Sequence, residues 1–175
     1  MGTPVLTPWW HGALYDTCSL ITLVRILEHD ASLAAHFPRP QAIEESLSAD
    51  NLRAATAAAV RPLVTLVPVP AACELALILG RTTLSRSLSA VDLLVYATAV
   101  KHGLATVTGD RQLARALRAS GVSCGNLALA LQELVRGGEM NTAACDALLT
   151  HLEAHSELII PHPQMWTTLR TYTFP

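Results

Sequence analysis

Three aspartates stand where a carboxylate can be put to chemical use. Asp16 follows the apolar run Gly12-Ala-Leu-Tyr15, and Asp110 follows Leu104–Val107 within Thr108-Gly-Asp110. Asp92 falls in the first turn of an apolar-periodic stretch opened by Ser89. If the two apolar runs are neighbouring parallel strands, all three acids face one end of a sheet. Like charges that close repel unless a cation neutralises them, so the trio is a candidate cation site. With neither imidazole nor thiolate among them, the donors suit hard Mg²⁺ or Mn²⁺. The competing reading is local: Asp16 and Asp110 are good N-caps for the helices that follow. Ser89 and Asp92 have the spacing of a capping box, with Asp in the place of the preferred Glu or Gln. A fourth acid stands in Ala42-Ile-Glu44-Glu45-Ser-Leu47. Ile43 and Leu47 share the buried stripe of a helix, which leaves both glutamates off it. We favour Glu45 as the one angled to the crevice; ordinary solvation of both is the alternative.

The elements that must position these residues follow from periodicity and chain punctuation. Gly12–Tyr15 reads as a short buried strand and Asp16 to about Leu27 as a helix. Pro40–Leu47 reads as a helix start with Pro near N1, continuing through the Ala-rich Asn51–Val60. Leu63–Val67 is β-rich, and Ala71–Leu79 and Ser89–His102 are helices, the second stopped by Gly103. Leu104–Val107 is a strand, Arg111–Ser120 a helix, Val122–Cys124 a last strand, and Asn126–Arg136 and Asn141–His155 are helices. Short apolar strands alternating with helices of this length define an α/β fold with a parallel sheet. In such sheets ligands bind at the carboxyl ends of the strands. A dinucleotide site would need glycines after the first strand, and none follows Tyr15; no GxxxxGK[ST] loop occurs either.

Composition bounds the rest. At 175 residues and 18.7 kDa the chain fits one domain. Its 51% hydrophobic and 15% charged residues supply a sizeable core and exclude disorder as the default state. The longest charge-free stretch, Met1–Tyr15, is broken by Pro4, Pro8 and His11, so no membrane span is expected. No basic, then apolar, leader opens the chain, and the expectation is a cytoplasmic protein. A net charge of -2 does not describe a general nucleic-acid binder. Eleven of the twelve basic residues are Arg, whose fork matches phosphate, although a GC-rich genome gives the same bias. Cys18, Cys73, Cys124 and Cys145 show no CxxC spacing and read as buried free thiols.

Other candidate chemistry is thinner. His151 and His155 have zinc-ligand spacing on a helix, but no Cys pair or HExxH accompanies them, so they read as surface histidines. No GxSxG elbow supports a serine nucleophile. Arg111, Arg115 and Arg118 share one helix face beginning beside Asp110, and Arg81 and Arg86 precede the Asp92 helix. These arginines are candidates to carry backbone phosphates toward the acids, with a solvated face as the alternative.

Taken together, Asp16-Thr-Cys-Ser-Leu-Ile after a strand, an acid near a Pro-led helix, Ser89-Ala-Val-Asp92-Leu-Leu-Val-Tyr-Ala-Thr-Ala and Gly103-Leu-Ala-Thr-Val-Thr108-Gly-Asp110 resemble a PIN domain. The resemblance runs over roughly residues 12 to 125 in order, and Cys18 stands where many members carry Asn. The continuation Gly121–Met140 is similar to a branch of small prokaryotic, toxin-like PIN proteins. The resemblance implies a three-layer α/β/α fold with a mostly parallel sheet, and a nuclease active site of about four acids. Carried over, Asp16, Asp92 and Asp110 take the aspartate positions and hold Mg²⁺ or Mn²⁺. Glu45 takes the glutamate position and Thr108 the hydroxyl position. RNA as substrate, a toxin setting with an antitoxin partner, and a homodimer are likewise what the resemblance implies.

The expected organisation is one PIN-like domain over 1–175, with its core at about 12–137. An N-terminal extension spans 1–11 and a helical appendage 138–175. Trp9 and Trp10, ahead of the first strand, are expected to pack at a subunit interface, with packing on their own domain as the alternative. Two rival functions complete the field. One is a receiver-like domain phosphorylated on Asp16, which lacks its late lysine because Lys101 is the only one. The other is a PIN-like module that binds RNA or protein without cleaving it.

Overall fold

The computed structural model describes residues 7–49, 52–81 and 88–155. Strand β1 (Leu14–Tyr15) leads into helix α1 (Thr17–His29), and a 3₁₀ turn at Ala31–His36 returns the chain to β2 (Gln41–Ala42). Two short helices, α2 (Glu44–Leu47) and α3 (Ala54–Val60), precede β3 (Thr65–Leu66) and helix α4 (Ala72–Gly80). Helix α5 (Ala90–His102) feeds β4 (Thr106–Val107), α6 (Arg111–Ala119) feeds β5 (Cys124–Gly125), and α7 (Leu127–Arg136) and α8 (Thr142–Ala154) follow. The five strands form one all-parallel sheet in the order β3-β2-β1-β4-β5. The chain thus winds to one edge, returns past β1, and fills the other side; order switches between β1 and β4.

Helices cover both faces of the sheet, because every strand side chain points alternately to one face or the other. Tyr15 enters a core with Leu20, Leu23 and Ile26 of α1, Leu131 of α7 and Leu148 of α8. Its neighbour Leu14 enters the opposite core with Val95 and Ala99 of α5 and Leu113 and Leu117 of α6. This is a three-layer α/β/α architecture. Helix α5 is buried continuously from Val95 to Ala99, since it lies between the sheet and α4, α6 and α2. Its exit at Gly103 has φ 63°, a left-handed conformation that glycine adopts without steric cost. Each buried Leu or Val side chain contributes on the order of 2 kcal/mol of transfer free energy. No described helix is long and apolar enough to cross a membrane.

Three sequence expectations are corrected. Pro40–Leu47 is not one helix start. Its Gln41 N–H donates to Ala13 O at 2.8 Å, while the Pro40 and Ala42 carbonyls accept from Thr65 and Val67 at 2.9 Å. Bonds to strands on both sides outweigh one marginal helical turn, so a fifth strand forms, and α3 is a separate helix. Trp9 and Trp10 pack on their own domain, the alternative named above, with Trp10 in the core and Trp9 partly buried against it. Trp10 is 2% exposed and donates from its indole to His36 O at 2.8 Å. Trp9 lies over Gly125, donates to Glu133 at 3.2 Å and meets Trp10 edge to face, with centroids 5.7 Å apart. The cysteines also divide. Cys124 and Cys145 are buried, and burial pushes the Cys145 thiol up to about 11, whereas Cys18 and Cys73 are exposed.

Candidate active site

The parallel register of β1 and β4 sets the site. Leu14 pairs with Thr106 and Tyr15 with Val107, so the next residues, Asp16 and Thr108, leave the sheet side by side. The Asp16 N–H continues the ladder to Val107 O at 3.1 Å, and the Thr108 N–H reaches Gly125 O at 2.8 Å. Both side chains are 3% exposed. Asp16 caps α1, accepting from the Ser19 N–H at 2.7 Å. The Thr108 hydroxyl donates to the other Asp16 carboxylate oxygen. Thr108 in turn accepts from the Asp110 N–H at 3.0 Å, and Asp110 caps α6 by accepting from Gln112 and Leu113 at 2.6 and 2.8 Å. A relay of hydrogen bonds therefore runs from the start of α6 through Thr108 to Asp16.

Asp92 is half-buried in the first turn of α5. Its carboxylate accepts from the Ser89 N–H at 2.9 Å and its own N–H donates to the Ser89 hydroxyl at 3.1 Å, which completes the capping box. Asp92 is also close enough for its charge to act on Asp16. Burial is the main cause that raises the Asp16 pKa above its usual range; the bonds from Thr108 and Ser19 pull it down, and Asp92 pushes it up. A buried carboxylate held beside a second one is a site in which a cation is electrostatically favoured.

Glu45 sits half-buried on α2, at the carboxyl end of β2, while Glu44 is exposed and ion-paired with Arg61. Helix α2 packs on α5, and the Thr17 hydroxyl ties it to the first turn of α1 by donating to Ser46 O at 3.3 Å. Asp16, Glu45, Asp92, Thr108 and Asp110 thus belong to elements that meet at the carboxyl edge of the sheet. Arg111 and Arg115 are exposed on α6 while Leu113, Ala114 and Leu117 are buried beneath them, and Arg81 is exposed at the end of α4. Arg86 lies outside the described residues. Thr17, Ser19 and Ser46, to which the sequence gives no chemical role, are buried around Asp16. The polar run Asp16-Thr-Cys-Ser directly after an apolar strand is the available signal.

The caps that compete with a cation for the aspartates are all formed. Among the described residues no three Asp, Glu, His or Cys side chains form a group able to hold a metal ion. Asp110 directs one oxygen to two cap amides and Asp92 one oxygen to Ser89, and each carboxylate keeps its second oxygen outside these caps. The donor chemistry still fits Mg²⁺ or Mn²⁺. Mg²⁺ keeps several waters and is commonly held by only one or two carboxylates together with substrate phosphate oxygens. Asp16, with the charge of Asp92 acting on it, offers donors of that kind. The His151 and His155 rings lie tilted against each other with centroids 4.3 Å apart, and the His29 ring lies 4.9 Å from that of His151.

Fold and site define an α/β protein with an acidic crevice at the carboxyl edge of a parallel sheet. Residues 19–118 match the sequence profile of the PIN domain, and the chain belongs to that family, whose members are generally nucleases. No curated protein and no solved structure matches the chain.

Proposed function

We propose that the protein is a divalent-metal-dependent ribonuclease that hydrolyses RNA phosphodiester bonds at this crevice. The observation that carries the reading is the buried Asp16 carboxylate, held in one orientation by Thr108 and Ser19 with the Asp92 charge beside it. Asp16 and Asp92 would hold Mg²⁺ or Mn²⁺, with Asp110 and Glu45 as flanking acids. When bound, the ion supplies activation of the attacking water and offsets charge on the leaving oxygen. Burial of Asp16 and Thr108 keeps bulk water from the carboxylate and strengthens its interactions. Arg81, Arg86, Arg111 and Arg115 would engage backbone phosphates without reading sequence. The wider setting that the resemblance supplies is a toxin-type nuclease in the cytoplasm, homodimeric and answered by a protein antitoxin. Since Trp9 and Trp10 are used within the chain, they lend no support to the dimer.

A second reading, a PIN module that binds RNA or protein without cleaving it, draws on the lack of a three-ligand group among the described residues. One experiment separates them: Mn²⁺ titrated into the protein with a structured RNA, cleavage followed on gels and ion binding by calorimetry. The nuclease reading expects Mn²⁺-dependent cleavage abolished by Asp16→Asn and by Asp92→Asn. RNA binding with neither cleavage nor Mn²⁺ uptake would establish the silent module.

A further inference from the structure

Helix α2 is four residues long and carries no side-chain hydrogen bond at its N-cap, Ile43. A single turn does not sustain itself in water, because nucleation is unfavourable and few of its hydrogen bonds are internal. Its placement must come from outside. Ile43 and Leu47 supply apolar anchors, at 0% and 6% exposure, but such contacts are not directional. The directional contact is the Thr17 hydroxyl, which donates to the Ser46 carbonyl at 3.3 Å. That carbonyl, at the helix C-terminus, has no later amide of α2 to accept from and would otherwise be an orphan. Both residues are buried, Thr17 at 7% and Ser46 at 0% exposure. The Ser46 hydroxyl itself is buried without a partner, so nothing else polar on that side chain fixes the turn.

Thr17 directly follows Asp16, and Ser46 directly follows Glu45. The bond between them therefore links the two residues next to the acids. We propose that Thr17 is a positioning residue whose hydroxyl sets α2, and with it Glu45, against Asp16. The role given to Glu45 rests on the nuclease reading above. On the outer side the Arg61–Glu44 ion pair steadies the same turn, but it is exposed and can exchange with water. Thr17 acts from inside, where water does not compete.

The test uses Thr17→Val, which keeps the shape and removes the hydroxyl, and Thr17→Ser, which restores it. Amide exchange is read at Ser46 and Ser48, whose N–H groups bond within the turn at 3.1 Å. Losing one hydrogen bond of about 1 kcal/mol should speed their exchange roughly five- to tenfold in Thr17→Val, with Thr17→Ser near wild type. In Mn²⁺-dependent cleavage, kcat should fall roughly 10- to 100-fold in Thr17→Val with KM for RNA little changed, since the arginine face is untouched. Thr17→Ser should rescue, and Glu45→Gln should cost less in the Thr17→Val background than in wild type. The proposal is overturned if the α2 amides exchange at the wild-type rate in Thr17→Val. It is equally overturned if Glu45→Gln costs the same in both backgrounds, or if Thr17→Ser fails to rescue. A wild-type protein that neither binds Mn²⁺ nor cleaves RNA would instead remove the nuclease reading and the positioning role with it, even if the exchange result stood.

Discussion

Replacing Thr108 with Val removes one hydroxyl from the centre of the relay and leaves the backbone and shape in place. That hydroxyl donates to the Asp16 carboxylate and accepts from the Asp110 N–H at 3.0 Å, in a site where Thr108 and Asp16 are both 3% exposed. A hydrogen bond to a charged group contributes about 1.5–3 kcal/mol and one between neutral groups about 1, so the loss should come to roughly 2–4 kcal/mol when Asp16 is ionised. For a chain of this size that lowers the melting midpoint by roughly 4–16 °C. The cost should depend on pH in a definite direction. Burial raises the Asp16 pKa from its usual 3.8, and the Thr108 bond is the strongest influence holding it down. Removing the bond raises the folded-state value further and leaves the unfolded value alone. Below the wild-type folded pKa both proteins carry a protonated Asp16, and only the neutral bonds, about 1 kcal/mol, distinguish them. As pH rises through that pKa the difference should grow, levelling off once Asp16 ionises in both. Urea unfolding in EDTA, across acid to neutral pH, measures it. A cost that is constant with pH, or below about 0.5 kcal/mol throughout, would refute the view that Thr108 acts on the Asp16 carboxylate.

Three further outcomes are expected. Asp16→Asn keeps the cap, because Asn and Asp serve equally well there. The folded-state pKa of Asp16 is raised, so wild-type stability falls as pH climbs from 3.8 through the folded value; the variant should gain relative to wild type over that window and show no advantage below it, in melts with EDTA. Gly125→Ala would place a Cβ 2.6 Å from the ring edge of Trp9 and 3.3 Å from Leu129, so it should cost about 1–3 kcal/mol in wild type and much less in a Trp9→Ala background; equal costs in the two would show that Trp9 is not what the methyl meets. Arg111→Ala with Arg115→Ala should leave the melt within about 0.5 kcal/mol, as both are exposed. The same double variant should weaken RNA binding and flatten its salt dependence by about 0.7 for each phosphate no longer engaged, whereas an unchanged slope would take that face out of the interface.

The sequence alone determined the alternation of strands and helices, the helix caps at Asp16, Ser89 and Asp110, and the stop at Gly103. These depend on neighbours within a few residues, and local chemistry sets them. The same holds for the order of acids along the chain, which is why the family could be named from motifs such as Thr108-Gly-Asp110. Strand β2 was beyond reach, because Gln41–Ala42 have no strand pattern of their own and are extended only by bonding to Ala13 on one side and Thr65 and Val67 on the other. The seats of Trp9 and Trp10 were also undecided: the sequence left a subunit interface and their own domain both open, and only the approach of Gly125 and the His36 carbonyl brings them onto the core. Within the site, the sequence placed Asp16 and Thr108 at strand ends 92 residues apart. The parallel register of β1 and β4 made them neighbours, and burial of that junction turned a helix cap into a carboxylate that resists ionisation.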